Sequence, residues 1–360
     1  MKKLFLSLAI LALAIVACQN NDEVTPNQEA AVDMSDFYVY TSDDVSSKST
    51  KDAPADKCAS MKVLNQQLRD NPGLENRMFQ IEKHTREFIA AKSSAIGKGK
   101  PGSGGGGTTL TPYSGTVTIP VYIHVIYSNS AQNISETQIY SQIAVLNNDF
   151  NDSNYSDVPT EFQNVGANID INFTLNSGNI TRHSDATTSW GTNNSVKTKY
   201  PPVAGYLNFW VCNIGGGILG YAQFPGGNAA TDGVVVGTEY FGSILLDPDG
   251  YYGNPTTTYF DSYNKGRTAT HEVGHWLNLR HIWGDGRCKQ DDFVADTPSS
   301  DRANYGCPAP VVHCQSTDMT MNYMDYTDDA CMNLFTLGQK DRMRAIFASG
   351  GSRESFVQVP

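Results

Sequence analysis

The feature that most constrains the fold of this chain is the stretch His271–His281, which reads HEVGHWLNLRH and holds three of its seven histidines. On an α-helix, His271 and His275 lie one turn apart on the same face, so both imidazoles can reach one metal ion. In a continuous helix His281 would lie about 9 Å beyond His275 and on a different face. It joins the other two only if the helix ends after His275 and the chain turns back. We predict that turn at Asn278.

Glu272 follows the first of these histidines and is rotated from it by about 100° around the helix. Its carboxylate can therefore hold a water of the ion without being forced to ligate the ion. A lone HExxH pattern also arises by chance, and the alternative is a set of ordinary surface or core histidines. His281 at the right distance makes chance a much weaker explanation. Asn278 suits the turn because Asn tolerates the left-handed backbone conformation.

The pattern HExxHxxxxxH resembles that of the metzincin zinc peptidases, and HEVGHWL resembles their pappalysin family. The resemblance covers roughly residues 113–345, with weaker likeness upstream. It implies an α/β (α+β) fold in which a twisted mixed sheet lies below the active-site helix. A small irregular disulfide-bonded C-terminal subdomain and an upstream helical pro-segment complete that fold. Members of the family have Gly where this chain has Asn278, which is a departure.

The resemblance implies that zinc is bound by His271, His275 and His281. It further implies a zinc endopeptidase that hydrolyses peptide bonds in proteins with a zinc-activated water and Glu272 as the general base. The implied partners are polypeptide substrates, and an extended chain could pair with an edge strand near residues 219–224.

The family also has a Met-turn below the metal, and this chain supplies Asn322-Tyr323-Met324-Asp325-Tyr326. The resemblance makes Met324 the hydrophobic floor under the histidines and Tyr326 the phenol that approaches the metal or the oxyanion. The alternatives are plain core packing for Met324 and a surface aromatic for Tyr326.

Two other classes of protein compete with a peptidase. A catalytically silent, adhesin-like surface lipoprotein could keep zinc for structure, but Glu272 is present. A metal-binding or export factor would leave the Met-turn unexplained.

Arginine-preferring members of the family carry Asp immediately before the cysteine that corresponds to Cys331, and this chain has Ala330 at that position. We therefore expect a broader cleavage preference.

Four cysteines surround the Met-turn, namely Cys288, Cys307, Cys314 and Cys331. An exported chain meets an oxidising compartment, so two disulfides are expected, and four cysteines allow three pairings. The resemblance implies the crossed pairing, Cys288–Cys314 and Cys307–Cys331. The alternative is a second zinc site near His313, although no CxxC pair is present.

Cys58 lies upstream of the main domain. Family members carry a pro-segment cysteine that occupies the open zinc position and keeps the zymogen latent. The resemblance implies that role for Cys58, and an unpaired thiol without consequence is the alternative. Cys212 lies in a predicted strand, and we expect it to be a buried free thiol.

Calcium is a second expected metal. Asp292, Asp296 and the Thr297 carbonyl lie in an oxygen-rich loop where relatives bind calcium, and hard oxygen ligands suit that ion. A solvated acidic loop is the alternative.

Residues 1–17 are typical of a signal peptide, with Lys2 and Lys3 before an apolar run too short to span a membrane. The run ends in a sequence that resembles a bacterial lipobox, which implies lipidation of Cys18. The acidic residues after it resemble export tags. We expect an exported outer-membrane or cell-surface lipoprotein, anchored by lipid alone or released after processing. An ordinary signal peptide is the alternative.

The rest of the chain divides by composition. Residues 18–56 are polar and predict a flexible tether, 57–96 predict a helical pro-segment, and 97–111 form a Gly-rich linker. The catalytic domain would then span 112–360. A formal charge of −11 argues against nucleic acid as a partner. We expect a monomer.

Periodicity places the elements of this domain. Apolar residues alternate over 116–127, which predicts a strand with one buried face. Ser135 and Gln138 predict a capping box for a helix that reaches Phe150. Upstream, Asn71-Pro72 predicts a helix to about Lys92. Further strands are expected at 169–175, 206–213 and 233–238, giving a mixed α/β architecture.

Overall fold

The computed structural model describes residues 32–41, 57–97, 115–152, 155–246 and 262–357. The signal peptide with Cys18, most of the tether and almost all of the Gly-rich linker lie outside these ranges. The helices are α1 Ser60–Asp70, α2 Leu74–Gly97, α3 Glu136–Asn151, α4 Ser195–Lys199, α5 Arg267–Trp276 and α6 Leu337–Ala345. The strands are β1 Val117–Tyr127, β2 Ile171–Thr174, β3 Ile180–Ser184, β4 Leu207–Cys212, β5 Gly220–Ala222, β6 Val234–Gly237, β7 Val312–His313 and β8 Ser316–Thr317. Within the described ranges, no helix is long and apolar enough to cross a membrane.

The main sheet is mixed, as predicted. Its strand order is β2-β1-β4-β6-β5, and β3 also pairs with β1. All pairs are parallel except β5 with β6, which makes β5 an antiparallel edge strand. A short β7–β8 hairpin lies in the C-terminal subdomain. The segment expected to receive substrate, residues 219–224, contains the edge strand β5.

Alternation along β1 builds the core beneath the active-site helix. The inward side chains are nearly inaccessible to solvent, and they pack with apolar residues of α3 and α5; they are Val117, Ile119, Val121, Ile123 and Val125. Burial of these β-branched side chains stabilises the strand, which is why apolar alternation in the sequence predicted β1. α5 packs directly on β5 and β6, which brings its histidines to the sheet edge.

α3 begins with half of the predicted capping box. The Ser135 side chain accepts a hydrogen bond from the Gln138 amide at 3.1 Å. The Gln138 side chain does not return to the cap but donates to the Phe241 carbonyl at 2.7 Å. The side-chain amide of Gln138 therefore connects α3 to the loop after β6 and supplies the hydrogen-bond donor that the buried Phe241 carbonyl needs.

The pro-segment contains two helices. The helix predicted from Asn71-Pro72 is α2, but it begins two residues later than predicted, at Leu74, and runs beyond Lys92 to Gly97. The sequence pattern did not distinguish the preceding helix α1. α1 packs on β5 and α2 packs on α6.

Residues 32–41 were expected to belong to the tether, and the structure departs from that expectation. Val39 is buried, and the Phe37 ring lies against Phe79 and Phe293. Tyr38 lies under the Arg280 guanidinium, 4.4 Å from it. These apolar and aromatic side chains find core partners that the polar composition around them conceals.

The four cysteines near the Met-turn form two disulfides in the structure. Cys288 pairs with Cys314 and Cys307 pairs with Cys331, with Cα separations of 5.4 and 5.7 Å. This is the crossed pairing that the resemblance implies. Cys212 is a buried free thiol on β4, and burial raises the pKa of that thiol.

Candidate metal centre and catalytic cleft

The active-site helix α5 ends at the residues where the chain must turn back. The Leu279 amide donates to the Gly274 carbonyl at 2.9 Å, and the Asn278 amide donates to the His275 carbonyl at 3.0 Å. These two bonds form a Schellman motif, whose left-handed residue is Asn278 with φ 76°. The predicted reversal is therefore present, and it directs the chain from the helix back toward the metal site.

The reversal brings three imidazoles together. His275 Nε2 lies 3.1 Å from His271 Nε2 and 3.2 Å from His281 Nε2. Zinc with nitrogen bonds near 2.0–2.1 Å and tetrahedral angles would separate its ligand nitrogens by about 3.3 Å. The observed separations thus match those of a shared ion.

The opposite nitrogen of each ring has a hydrogen-bond acceptor. His271 Nδ1 lies 2.8 Å from the Tyr323 carbonyl, and His275 Nδ1 lies 2.9 Å from the Leu279 carbonyl. His281 Nδ1 lies 2.6 Å from Asp285 Oδ1. Protons on the Nδ1 atoms leave the three Nε2 lone pairs facing one another, an arrangement that a cation stabilises. Burial lowers the pKa of His271 to about 3, so this imidazole is neutral, as a metal ligand must be.

Cys58 completes the donor set. Its sulfur and the three imidazoles offer ligand atoms that all lie within 4.8 Å of one another. In the part of the chain that the structure describes, this is the only group of three or more such side chains that meets. Burial, and next the neighbouring Glu272, raise the pKa of the Cys58 thiol, so a thiolate there requires a cation. Three nitrogens and a sulfur fit zinc.

Glu272 lies on the cleft side of α5 and is almost fully buried. A Cβ atom on Gly220 would come within 3.0 Å of the Glu272 side chain, so the absence of a side chain on β5 makes room for the carboxylate. Burial raises the pKa of Glu272 to about 7, although hydrogen bonds from Ser60 and Cys58 lower it. A carboxylate with such a pKa can both accept and donate a proton near neutrality.

The Met-turn lies beneath the histidines. Met324 is fully buried, and a Cβ atom on Gly274 would overlap its sulfur. The glycine of the HEVGH sequence therefore allows the turn to approach the helix closely. The Asn322 side chain accepts from the Met324 amide at 2.9 Å and holds the turn in place.

Tyr326 faces the metal site from the Met-turn side. Its ring lies 5.0 Å from the His281 ring and 5.7 Å from the His271 ring. Its hydroxyl donates to the Cys58 carbonyl at 3.4 Å. A phenol at this position can donate to a carbonyl oxygen that enters the cleft.

The acidic loop expected to bind calcium uses its side chains within the protein. The buried Asp292 carboxylate accepts from the Thr297 hydroxyl and the Val294 amide. Asp296 instead accepts from the Thr336 hydroxyl and the Gly338 amide, at the start of α6. The three expected ligands lie in one loop, and calcium binding stays a prediction.

Several residues that shape the site were missed by sequence reasoning. Asp285 orients His281, and Trp283 stacks on the same ring at 4.3 Å. Asp149 of α3 anchors the active-site helix through Thr270 at 2.6 Å and Arg267 at 3.0 Å. Of these residues, only Asp285 could have been recognised from the sequence, because it is a carboxylate four residues after the predicted ligand His281.

Together the fold and this site define a metal-dependent peptidase. A family model described as Peptidase M43, Pregnancy-associated plasma protein-A, matches residues 191–348. An extracellular metalloprotease of Arthroderma benhamiae is 33% identical over 230 residues, which cover 63% of this chain and 76% of that protein. One of Pyricularia oryzae is 32% identical over 252 residues, covering 67% and 78%.

Two solved structures are also similar to this chain. Mature mirolysin of Tannerella forsythia in complex with a cleaved peptide is 44% identical, with a TM-score of 0.62 over 68% of this chain and 97% of that chain. A mutant of promirolysin is 37% identical, with a TM-score of 0.68 over 84% of this chain and 97% of that chain. The chain belongs to the M43, or pappalysin, family and is a zinc metalloendopeptidase.

Proposed function

We propose that the protein is an exported endopeptidase, made as a latent zymogen, in which His271, His275 and His281 hold zinc and Glu272 is the general base. The convergence of the three Nε2 atoms beside a buried carboxylate carries this proposal. The names of the fungal relatives, extracellular metalloproteases, support export. Anchoring through a lipidated Cys18 remains part of the proposal.

The chemistry is divided between the metal and the protein. When bound, zinc supplies a Lewis acid that polarises the scissile carbonyl and lowers the pKa of a water. Glu272 takes a proton from the attacking water and delivers it to the leaving amine. Tyr326 donates a hydrogen bond to the oxyanion. The edge strand β5 offers backbone groups on which an extended polypeptide can align.

The metal dependence of this activity can be tested directly. We expect the processed protein to cleave casein, to lose that activity with a chelator, and to regain it when zinc is added. The reason is that three neutral imidazoles alone cannot polarise a carbonyl. Release of fluorescent casein fragments measures all three states. Activity that persists after chelation, with zinc absent by mass spectrometry, would contradict the proposal.

Latency is the second part of the proposal. Cys58 meets the three histidines, and its backbone pairs with β5 at Gly220. A thiolate in this place would take the open position on zinc.

Two further proposals concern calcium and specificity. Calcium would bind in the loop that holds Asp292, Asp296 and Thr297. Because Ala330 stands where arginine-preferring members carry Asp, the cleavage preference would be broader than arginine.

Replacing the latency cysteine gives the corresponding prediction. We expect Cys58→Ala to produce premature activity or autolysis of the precursor, because the fourth zinc position becomes open to water. The measurement is the time course of precursor conversion on a denaturing gel. Cys212→Ala, which removes a buried thiol far along β4, is the matched control and should leave the precursor latent. An equally latent Cys58→Ala precursor would refute the switch.

A further inference from the structure

The pro-segment enters the cleft along the edge strand and takes up its outward backbone groups. The Leu219 amide donates to the Lys57 carbonyl at 2.8 Å. The Gly220 carbonyl accepts from the Ala59 amide at 3.0 Å. These are the groups with which an extended polypeptide would add to the sheet. The pro-segment therefore competes with substrate for the same edge.

The next outward amide of this edge is bound by a side chain instead of backbone. The Ala222 amide donates to Ser60 Oγ at 2.7 Å. The same hydroxyl donates to Glu272 Oε2 at 2.6 Å. A hydroxyl has one proton, so the proton of Ser60 is committed to the carboxylate while its oxygen accepts from the strand. Ser60 is fully buried between the two groups.

This contact acts on the base and not on the metal. The hydrogen bond from the fixed hydroxyl occupies one acceptor site of Glu272 Oε2 and therefore competes with an attacking water for that oxygen. Ser60 is also the first residue of the eleven-residue helix α1, so the carboxylate that its hydroxyl contacts lies beside the amino-terminal end of that helix. The partial positive charge of that end favours the same bound state.

We infer that Ser60 is a second latency element, which masks the general base while Cys58 blocks the metal. The inference rests on the proposed function, because it gives Glu272 the role of base. It explains how one short segment disables both halves of the catalytic centre.

The test uses the intact precursor with Ser60→Ala. We expect its basal cleavage of casein to rise about 10- to 100-fold over the wild-type precursor, the factor expected from losing a hydrogen bond to a charged group. Ser93→Ala is the matched control, since that exposed hydroxyl donates to the Ile89 carbonyl of its own helix. The mature forms should be equally active, because both serines leave with the pro-segment.

A second measurement does not depend on activity. Hydrogen exchange should show the Ala222 amide protected in the wild-type precursor and at least about tenfold faster in Ser60→Ala. Should the wild-type mature form be inactive, the peptidase proposal fails, whereas the exchange result still reports on the contact. A Ser60→Ala precursor that keeps its zinc, stays latent and protects Ala222 overturns the inference. So does an unprotected Ala222 in the wild-type precursor.

Discussion

Replacing Glu272 with Ala is expected to lower kcat by about 10²- to 10⁴-fold while zinc remains bound. Glu272 is the only carboxylate that reaches the cleft from the active-site helix α5, and its neighbours on the helix are the imidazoles that converge. Because the carboxylate does not belong to the group of ligand atoms, its removal leaves the donor set intact. The measurement combines casein hydrolysis with zinc content by mass spectrometry.

The comparison must be made on proteins freed of the pro-segment by the same added protease, since an inactive variant cannot process itself. Glu239→Ala serves as the matched control, because that side chain is exposed on the turn after β6. We expect this control to be as active as the wild type. Undiminished proteolysis by a zinc-loaded Glu272→Ala protein would show that another group takes the proton.

The centre of the site was predictable because its signals are local. His271, His275 and His281 lie within eleven residues, and the helix period together with the tolerance of Asn278 for the left-handed conformation determines whether their rings can meet. β1 was predictable for the same reason, since alternation within one segment reports burial of one face.

The contacts that complete the site join residues far apart in the chain. Ser60 meets Glu272 across 212 positions, and Glu82 meets Arg342 across 260. A serine or a glutamate in a polar segment has nothing in its neighbourhood to distinguish it from a solvated one. The polar composition of the predicted tether likewise gave no indication that Tyr38 packs against the Arg280 guanidinium. Such contacts depend on tertiary packing, which a single sequence does not display.

The second large effect is expected where the pro-segment docks on the catalytic domain. Glu82 of α2 makes a two-pronged ion pair with Arg342 of α6, at 2.8 and 3.1 Å, and also accepts from Arg86 at 2.8 Å. Both Glu82 and Arg342 are buried. Glu82→Ala leaves the guanidinium buried without its main partner, so we expect the precursor to lose about 3–5 kcal/mol of unfolding free energy.

Urea unfolding of the intact precursor measures this loss. Glu87→Ala is the matched control on the same helix, since Glu87 forms an exposed pair with Lys83 at 3.4 Å, worth about 0.5 kcal/mol or less. A form from which the predicted pro-segment has been removed lacks Glu82 in every variant and should not change. Equal stability of the Glu82→Ala and Glu87→Ala precursors would show that the buried pair does not hold the pro-segment.

Acid gives an independent view of the same ion pair. Burial alone would raise the pKa of Glu82, but the Arg342 charge, with Arg86, lowers it from 4.5 to about 2. A carboxylate with a depressed pKa in the folded state stabilises the fold above the unfolded value, and the stabilisation is lost as pH falls from about 4.5 toward 2. The wild-type precursor should therefore lose about 3 kcal/mol more over this range than Glu82→Ala does. Because the pair joins α2 to α6, this acid sensitivity belongs to the docked pro-segment and disappears when the pro-segment is removed.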